Sequence, residues 1–506
     1  MGEAKRKALR RVSQPIGLDT FGGRVHVEWD PRAAVTPLGQ LPFFIEFLKV
    51  SGLFDAFVED CPLIFESNNA PTQREVLATL MLSILSGHFR YAHISSMRHD
   101  QVHPPLFGCR RFVSEDSARR ALYRIDEAEG VAWLDRHLAR TTRPLFTTPW
   151  ICDLDATVKC LYGKQEGAVI GYNPRKPGRP SHCYHSAFMG NTRLALTVDV
   201  AAGNHTAASH AMPGFWRWFD QLPPNERPAL LRGDLAFGND SVMSEAEARH
   251  QPYLYKLRLT SKVKRLVRDL FATAPWQDAG QEWEGCESAL RLSGWPRARR
   301  VVVLRRALRG EIALQEKTKN AQSELAFIEA DVPTARYEYA VLVTSTTYDI
   351  VALAQLYRDR ADCENNFDEL KNQWGWGGFT THDLKRCQLM AQLVALVYNW
   401  WNLFVRLANP HKHHEAITSR PLLLHGVATQ TKHANQTRLT ITSVHVQSAR
   451  VQAVLDELAR FLKSLTATAE QLTNHERLSV ILKRAFAKFL HTTAGPPGPL
   501  AFNHVA

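Results

Sequence analysis

The chain of 506 residues contains no Cys-x-x-Cys pair. Its eight cysteines, Cys61, Cys109, Cys152, Cys160, Cys183, Cys286, Cys363 and Cys387, are scattered over the whole length. That scatter excludes a disulfide-stapled scaffold and offers no tetrahedral zinc set; it fits reduced thiols in a cytoplasmic protein. The first residues, MGEAKRKALRR, lack the apolar core of a secretory signal. The longest strongly apolar stretch, LMAQLVALVYNWWNLFV, is interrupted by Gln392 and Asn399, which argues for a buried core helix and against a membrane span. No internal repeat is visible. What the sequence has in excess is positive charge: net +12 and pI about 9.3. That balance favours a polyanionic partner, nucleic acid before membrane. Hydrophobic residues at 45% place most of the chain among globular proteins.

The texture changes along the chain. Residues 1–35 read as a basic, loosely ordered arm, and 36–145 as helical. The segment REVLATLMLSILSGHF is too apolar for a surface helix and predicts the centre of a bundle. Ser114 is the expected N-cap of a second helix, with Glu115 and Asp116 in its first turn. Arg119, Arg120 and Arg124 on that helix form either a recognition surface for DNA or a solvated basic face. Over 146–260 an α/β pattern begins. WICDLDATVKCLYG alternates strictly and predicts a half-buried strand, with Asp153, Asp155, Thr157 and Lys159 on the polar face. A basic Pro- and Gly-rich loop, GYNPRKPGRPSH, precedes two strands joined at Asn191-Thr192. A helix over about 207–221, a short strand ending at Asp234, a helix over about 241–250 and the strand PYLYKLRLT complete this part. Residues 261–336 read as a separate β unit rich in Arg and Trp; 337–407 return to the core, ending in long helices. The last segment, 408–506, reads as a linker with the amphipathic helices VQAVLDELARFLKSL and LSVILKRAFAKFL and a Pro-Gly tail.

Three acids stand out. Asp155 lies mid-strand, Asp234 at a strand end before a Gly-containing turn, and Glu364 in LYRDRADCENNFDELK. On one continuous helix Tyr357, Arg360, Glu364 and Lys371 would share an arc of roughly 60°. Strand-borne carboxylates joined by one from a helix can hold two hard divalent cations about 4 Å apart.

Asp155-Ala156-Thr157, Arg232-Gly233-Asp234 and Tyr357-x2-Arg360-x3-Glu364-x6-Lys371 together resemble the three motifs of bacterial DDE insertion-sequence transposases. More narrowly they look like the cut-and-paste subgroup with a Tyr-Arg-Glu-Lys signature and a β-rich insertion before the last acid. YNPRKPGRPSH and HDLKRCQLMAQLVALVYNWWNLF are similar to the same subgroup, and the resemblance spans about 36–407. It implies an α/β, RNase H-like mixed-sheet core with N- and C-terminal helical regions. It implies DNA binding by 36–145, an insertion over 261–336 and a dimerisation role for 408–506. By the same resemblance Asp155, Asp234 and Glu364 bind Mg²⁺, with Mn²⁺ able to substitute, while Tyr357, Arg360 and Lys371 grip phosphates. The implied partners are double-stranded DNA, both transposon-end inverted repeats and target, and a second protomer; no membrane is involved. The implied setting is the bacterial cytoplasm, with the protein on the nucleoid when DNA-bound. The implied reaction is cleavage at the ends and transfer of the 3′ ends, through hairpins or directly. Rival readings are a non-catalytic DNA-binding derivative and a structure-specific nuclease on the same fold.

Other residues admit simpler roles. Strand geometry cannot separate Asp153 from Asp155; the Asp-x-Thr match favours Asp155, leaving Asp153 as a supporting carboxylate. Asp199 is a further candidate, and Asp240 serves a helix start. His182, Cys183 and His185 fit structural roles better than zinc, and His411, His413 and His414 read as exposed linker residues. Arg175, Lys176 and Arg179 suit DNA-backbone contact. Trp276, Trp283 and Trp295 fit packing of the β unit better than base stacking.

Overall fold

Residues 15–30, 33–173, 176–308, 337–434, 436–467 and 471–487 are described by the computed structural model. The expected arm carries a hairpin of β1 (Ile16–Thr20) and β2 (Gly23–Val27), followed by the short β3 (Val35–Thr36). Helices then follow as expected: α1 (Leu41–Ser51), α2 (Leu53–Glu59), α3 (Gln73–Leu85), α4 (His103–Leu106), α5 (Glu115–Arg124) and α6 (Glu127–Thr142). Every residue of α3 from Glu75 to Leu85 is buried, and a Thr72–Glu75 capping box starts the helix. Ser114 caps α5, its hydroxyl accepting from the Ser117 N–H at 3.2 Å. Arg119 and Arg120 both turn back on Asp116, so the basic face of α5 is partly self-neutralised.

A ten-stranded mixed sheet follows. Its first part is β4 (Ile151–Cys160), β5 (Val169–Ile170), β6 (Pro180–Met189) and β7 (Leu194–Ala202). Helix α7 (Met212–Asp220) leads to β8 (Leu230–Gly233), and α8 (Asp240–Ala248) to β9 (Tyr253–Lys256). The spatial order is β7–β6–β4–β8–β9; β6 and β7 are antiparallel, whereas β4, β8 and β9 run parallel. Helix α9 (Ser261–Thr273) precedes β10 (Gln277–Gly280), β11 (Trp283–Leu290), β12 (Arg299–Ala307) and β13 (Tyr337–Thr344). Strand β13 falls in the stretch read as a return to the core, and β10, β11 and β12, read as a separate β unit, are joined to it edge to edge. β13 pairs with β9, so they extend the same sheet, and the connection 309–336 lies outside the described residues.

The single helix expected through Tyr357 and Lys371 is two: α10 (Ile350–Arg358) and α11 (Ala361–Asn372), joined by Asp359 and Arg360. Both joining residues keep right-handed helical angles. Helix α11 packs over β4. Strand β4 alternates as expected but is not half-buried: Asp153 is 2% and Asp155 7% exposed, because the strand is interior and its polar face is covered.

Helix α12 (Leu384–Ala408) is buried on nearly all sides. Its amides explain why an apolar run carries polar interruptions. Strand β7 has a free edge, and α12 closes it. Gln388 accepts from the Val200 N–H at 2.5 Å and donates to the Val198 carbonyl at 2.8 Å. Asn399 accepts from the Ala195 N–H at 2.9 Å and donates to the Ala195 carbonyl at 2.8 Å. Gln392 donates to Asp135 at 2.7 Å. Asn399→Leu, which keeps the branch at Cγ, strands a buried donor and acceptor on β7; we expect a stability loss of about 2–4 kcal/mol in urea unfolding.

The C-terminal region is more than a linker with helices. After α13 (Ala416–Leu423), strands β14 (Val427–His433) and β15 (Gln436–Thr442) form a three-stranded sheet with β3. The two amphipathic helices are α14 (Ser448–Thr466) and α15 (Asn474–Ala485), both packed on α1. The tail GPPGPL lies outside the described residues. Among the described residues no helix is long and apolar enough to cross a membrane.

Candidate active site

Parallel pairing of β4 with β8 sets Leu154 beside Gly233, so Asp155 and Asp234 come next in register. Adjacent strands lie about 4.8 Å apart, which brings both acids to one place on the sheet. Asp234 stands just past the end of β8, where its Oδ1 accepts from the Ala236 N–H at 2.8 Å and turns the chain. The turn between α10 and α11 lies across them. Arg360, only 4% exposed, sets Nη2 at 2.7 Å from Asp155 Oδ2 and Nη1 at 3.5 Å from Glu364 Oε1. The Glu364 side chain is 71% exposed, an acid on the open side of a buried cation. Burial raises the Asp155 carboxyl to about 7; the Arg360 charge pulls it down, while Asp234 and Glu364 push it further up.

Asp153 is committed elsewhere. It accepts from Arg232 Nε at 2.6 Å and Nη2 at 2.8 Å, and both side chains are buried. Arg232 Nη1 also donates to the Leu356 carbonyl at 2.5 Å, which ties β4 and β8 to the end of α10. Arg232 was passed over as a site residue. The signal was present: an arginine inside the apolar run PALLRGDL requires a buried acid, and Asp153 is one.

Among the described residues no group of three or more His, Cys, Asp or Glu side chains stands close enough to hold a metal ion. The guanidinium of Arg360 takes the space between Asp155 and Glu364. A cation is therefore already at home among these oxygens, and an all-carboxylate set suits a hard divalent ion.

Residues 66–463, most of the chain, match the family described as Transposase DDE domain group 1. The chain belongs to the DDE transposase family. Members of this family are DNA-cleaving enzymes that generally use divalent metal ions. No curated protein matches the chain. Among solved structures, the cryo-EM structure of piggyBac transposase synaptic complex with hairpin DNA is similar at 11% identity. That match covers 88% of this chain and 85% of the other with a TM-score of 0.36, too remote to assign residues.

Lys371 of this DDE transposase lies across β4, its Nζ donating to Thr157 Oγ1 at 3.1 Å and the Val158 carbonyl at 3.0 Å. Tyr357 is half-buried, and its hydroxyl contributes to the electrostatic setting of Arg360. Three of the four motif side chains, Arg360, Glu364 and Lys371, thus engage β4 or the cation bound to it. Lys159, on the same face, donates to the Tyr184 hydroxyl at 3.3 Å and to the Gly378 carbonyl; burial lowers it to about 8. In the basic loop Arg175 lies outside the described residues. Lys176 Nζ donates to the Tyr162 hydroxyl at 2.6 Å, and Arg179 stacks 4.9 Å from that ring's centre. Tyr162 is 69% exposed, and nothing in its sequence context had singled it out.

The remaining candidates have structural partners. Asp199 pairs with His210 at 3.0 Å, and Asp240 with Arg299 at 2.7 Å in the first turn of α8, whose cap is Asn239. His182 bonds the Glu166 carbonyl at 2.7 Å and Cys183 the Gly203 carbonyl at 3.4 Å. His413 is not an exposed linker residue: its Nε2 lies 2.9 Å from Glu369, a carboxylate only 1% exposed that needs such partners. Trp295 is buried under Arg299, while Trp276 and Trp283 are partly buried under Arg305 and Arg306.

Proposed function

We propose that this chain is a cut-and-paste DNA transposase of an insertion sequence that cleaves the element's ends and joins their 3′ ends to target DNA. The observation that carries the reading is the convergence of Asp155, Asp234 and Glu364 on Arg360 at one place on the sheet. The strand order β7–β6–β4–β8–β9, with parallel β4, β8 and β9, supports an RNase H-like core. Asp155, Asp234 and Glu364 would hold Mg²⁺ or Mn²⁺, which activates the attacking oxygen and stabilises the leaving 3′-oxygen. Arg360 and Lys371 present charged donors for phosphate oxygens beside the bond to be broken, and Arg360 can bind in bidentate fashion. Tyr357 adds a hydroxyl donor. Asp153 and Arg232 hold β4, β8 and α10 in register, so the reacting carboxylates keep their spacing. A 3′-hydroxyl freed by hydrolysis then attacks either the opposite strand, closing a hairpin, or the target directly. Two protomers bridging two ends complete the scheme, with the reaction taking place in the bacterial cytoplasm.

Lys176 and Arg179, with Arg175, contact the DNA backbone. The double variant Lys176→Ala/Arg179→Ala is expected to lower the slope of log affinity against log salt by about two, measured by fluorescence anisotropy on a duplex.

The functional test incubates the protein with Mg²⁺, a duplex from the DNA bordering its gene, and a target plasmid. Wild type is expected to cut the duplex and join it to the plasmid, and Asp155→Asn to do neither. Cutting without joining would identify a nuclease; inactivity of wild type, or equal activity of the variant, would remove the assignment.

A further inference from the structure

Arg360 is in a place where the proposed reaction cannot tolerate it. Its guanidinium stands 2.7 Å from an Asp155 oxygen and 3.5 Å from a Glu364 oxygen, and it is 4% exposed. A divalent cation binds such oxygens at about 2.0–2.6 Å. It cannot share them with a second cation at the distance observed, both for want of space and through like-charge repulsion. We propose that Arg360 is an internal counter-cation that closes the carboxylate site to divalent metal until a DNA phosphate draws it away. The inference rests on the functional reading above and adds to it an order of events.

The physical logic has three parts. An acid as buried as Asp155, with Asp234 next in register, needs a neutralising charge when no metal is present, and Arg360 supplies it. The Arg360 backbone stays held by its own N–H to the Tyr357 carbonyl and by the Cys363 N–H to its carbonyl, so a rotation of the side chain alone leaves the turn intact. A phosphate offers the guanidinium the same fork-shaped acceptor geometry that a carboxylate does. DNA binding therefore releases Asp155 and Glu364 at the moment a substrate is present. By linkage, DNA must tighten metal binding and metal must tighten DNA binding. Free protein would not load metal and nick DNA indiscriminately.

The test is Mn²⁺ titration of the full chain followed by electron paramagnetic resonance, without DNA and with an end-bearing duplex. Without DNA, Arg360→Ala is expected to bind Mn²⁺ at least tenfold more tightly than wild type, with Arg360→Lys between them. The duplex should tighten Mn²⁺ binding more for wild type than for Arg360→Ala. If Arg360→Ala does not fold, judged by thermal unfolding, Arg360→Gln keeps a polar though shorter side chain, removes the charge and should give the same shift. Asp155→Asn separates the two levels of the argument. If it weakens Mn²⁺ binding while the charge-removing Arg360 variant binds no more tightly than wild type without DNA, the counter-cation role is wrong and the carboxylate site stands. If Asp155→Asn leaves Mn²⁺ binding unchanged in the presence of the duplex, both fail.

Discussion

Asp153→Asn is expected to cost about 3–5 kcal/mol of stability, because it leaves Arg232 with an uncompensated buried charge. The two side chains are 3% and 0% exposed, so solvent cannot take the place of the lost carboxylate. Arg232 also holds the Leu356 carbonyl, so the loss should extend to the seating of α10. Urea unfolding at pH 7 measures it. The experiment also settles the rivalry between the two aspartates on one strand face. A stability loss under about 1 kcal/mol, together with complete loss of DNA cleavage, would move the reacting role from Asp155 to Asp153.

Glu364→Gln is expected to do the opposite. Its side chain is 71% exposed and the Arg360 guanidinium is 3.5 Å away, so stability should stay within about 0.5 kcal/mol of wild type. Cleavage should fall by about three orders of magnitude or more, since a neutral amide replaces a negatively charged oxygen donor at the reacting site. Single-turnover cleavage of an end-bearing duplex measures it. The pH profile supplies a second readout. The Asp155 carboxyl is raised to about 7 by burial and its neighbouring acids, against the pull of Arg360. Below that value it tends to keep its proton, and a protonated acid is a poor ligand. Mn²⁺ loading, which has to displace that proton, should therefore tighten as pH rises through about 7.

Local signals carried much of this architecture. The apolar run of α3, the Ser114 cap and the strict alternation of β4 each leave a mark within a dozen residues, and each element is where that mark predicts. Asp155 and Arg360 are widely separated in sequence yet meet, and it was resemblance to a family's motifs that singled them out. What local pattern could not carry was pairing at long range. Nothing within β10 to β12 says that β12 will bond to β13 and so continue the core sheet, and these strands read as a separate unit. The β14–β15 hairpin is rich in exposed threonines and short, without the buried face that marks a strand. The break at Asp359 and Arg360 carries no Pro or Gly, so the sequence reads straight through it. The buried Asp153–Arg232 pair was legible only by asking where an arginine in an apolar strand finds its acid. The same question applied to Glu369 would have called for His413.

Asp155, Asp234 and Glu364 are proposed to form one carboxylate site for divalent metal. An anomalous difference map from crystals of the protein with end-bearing DNA and Mn²⁺ tests it most directly. Mn²⁺ peaks are expected within about 2.5 Å of oxygens from all three residues, with Arg360 withdrawn to a phosphate. Peaks at other carboxylates, or none at these three in a complex that holds DNA, would contradict it.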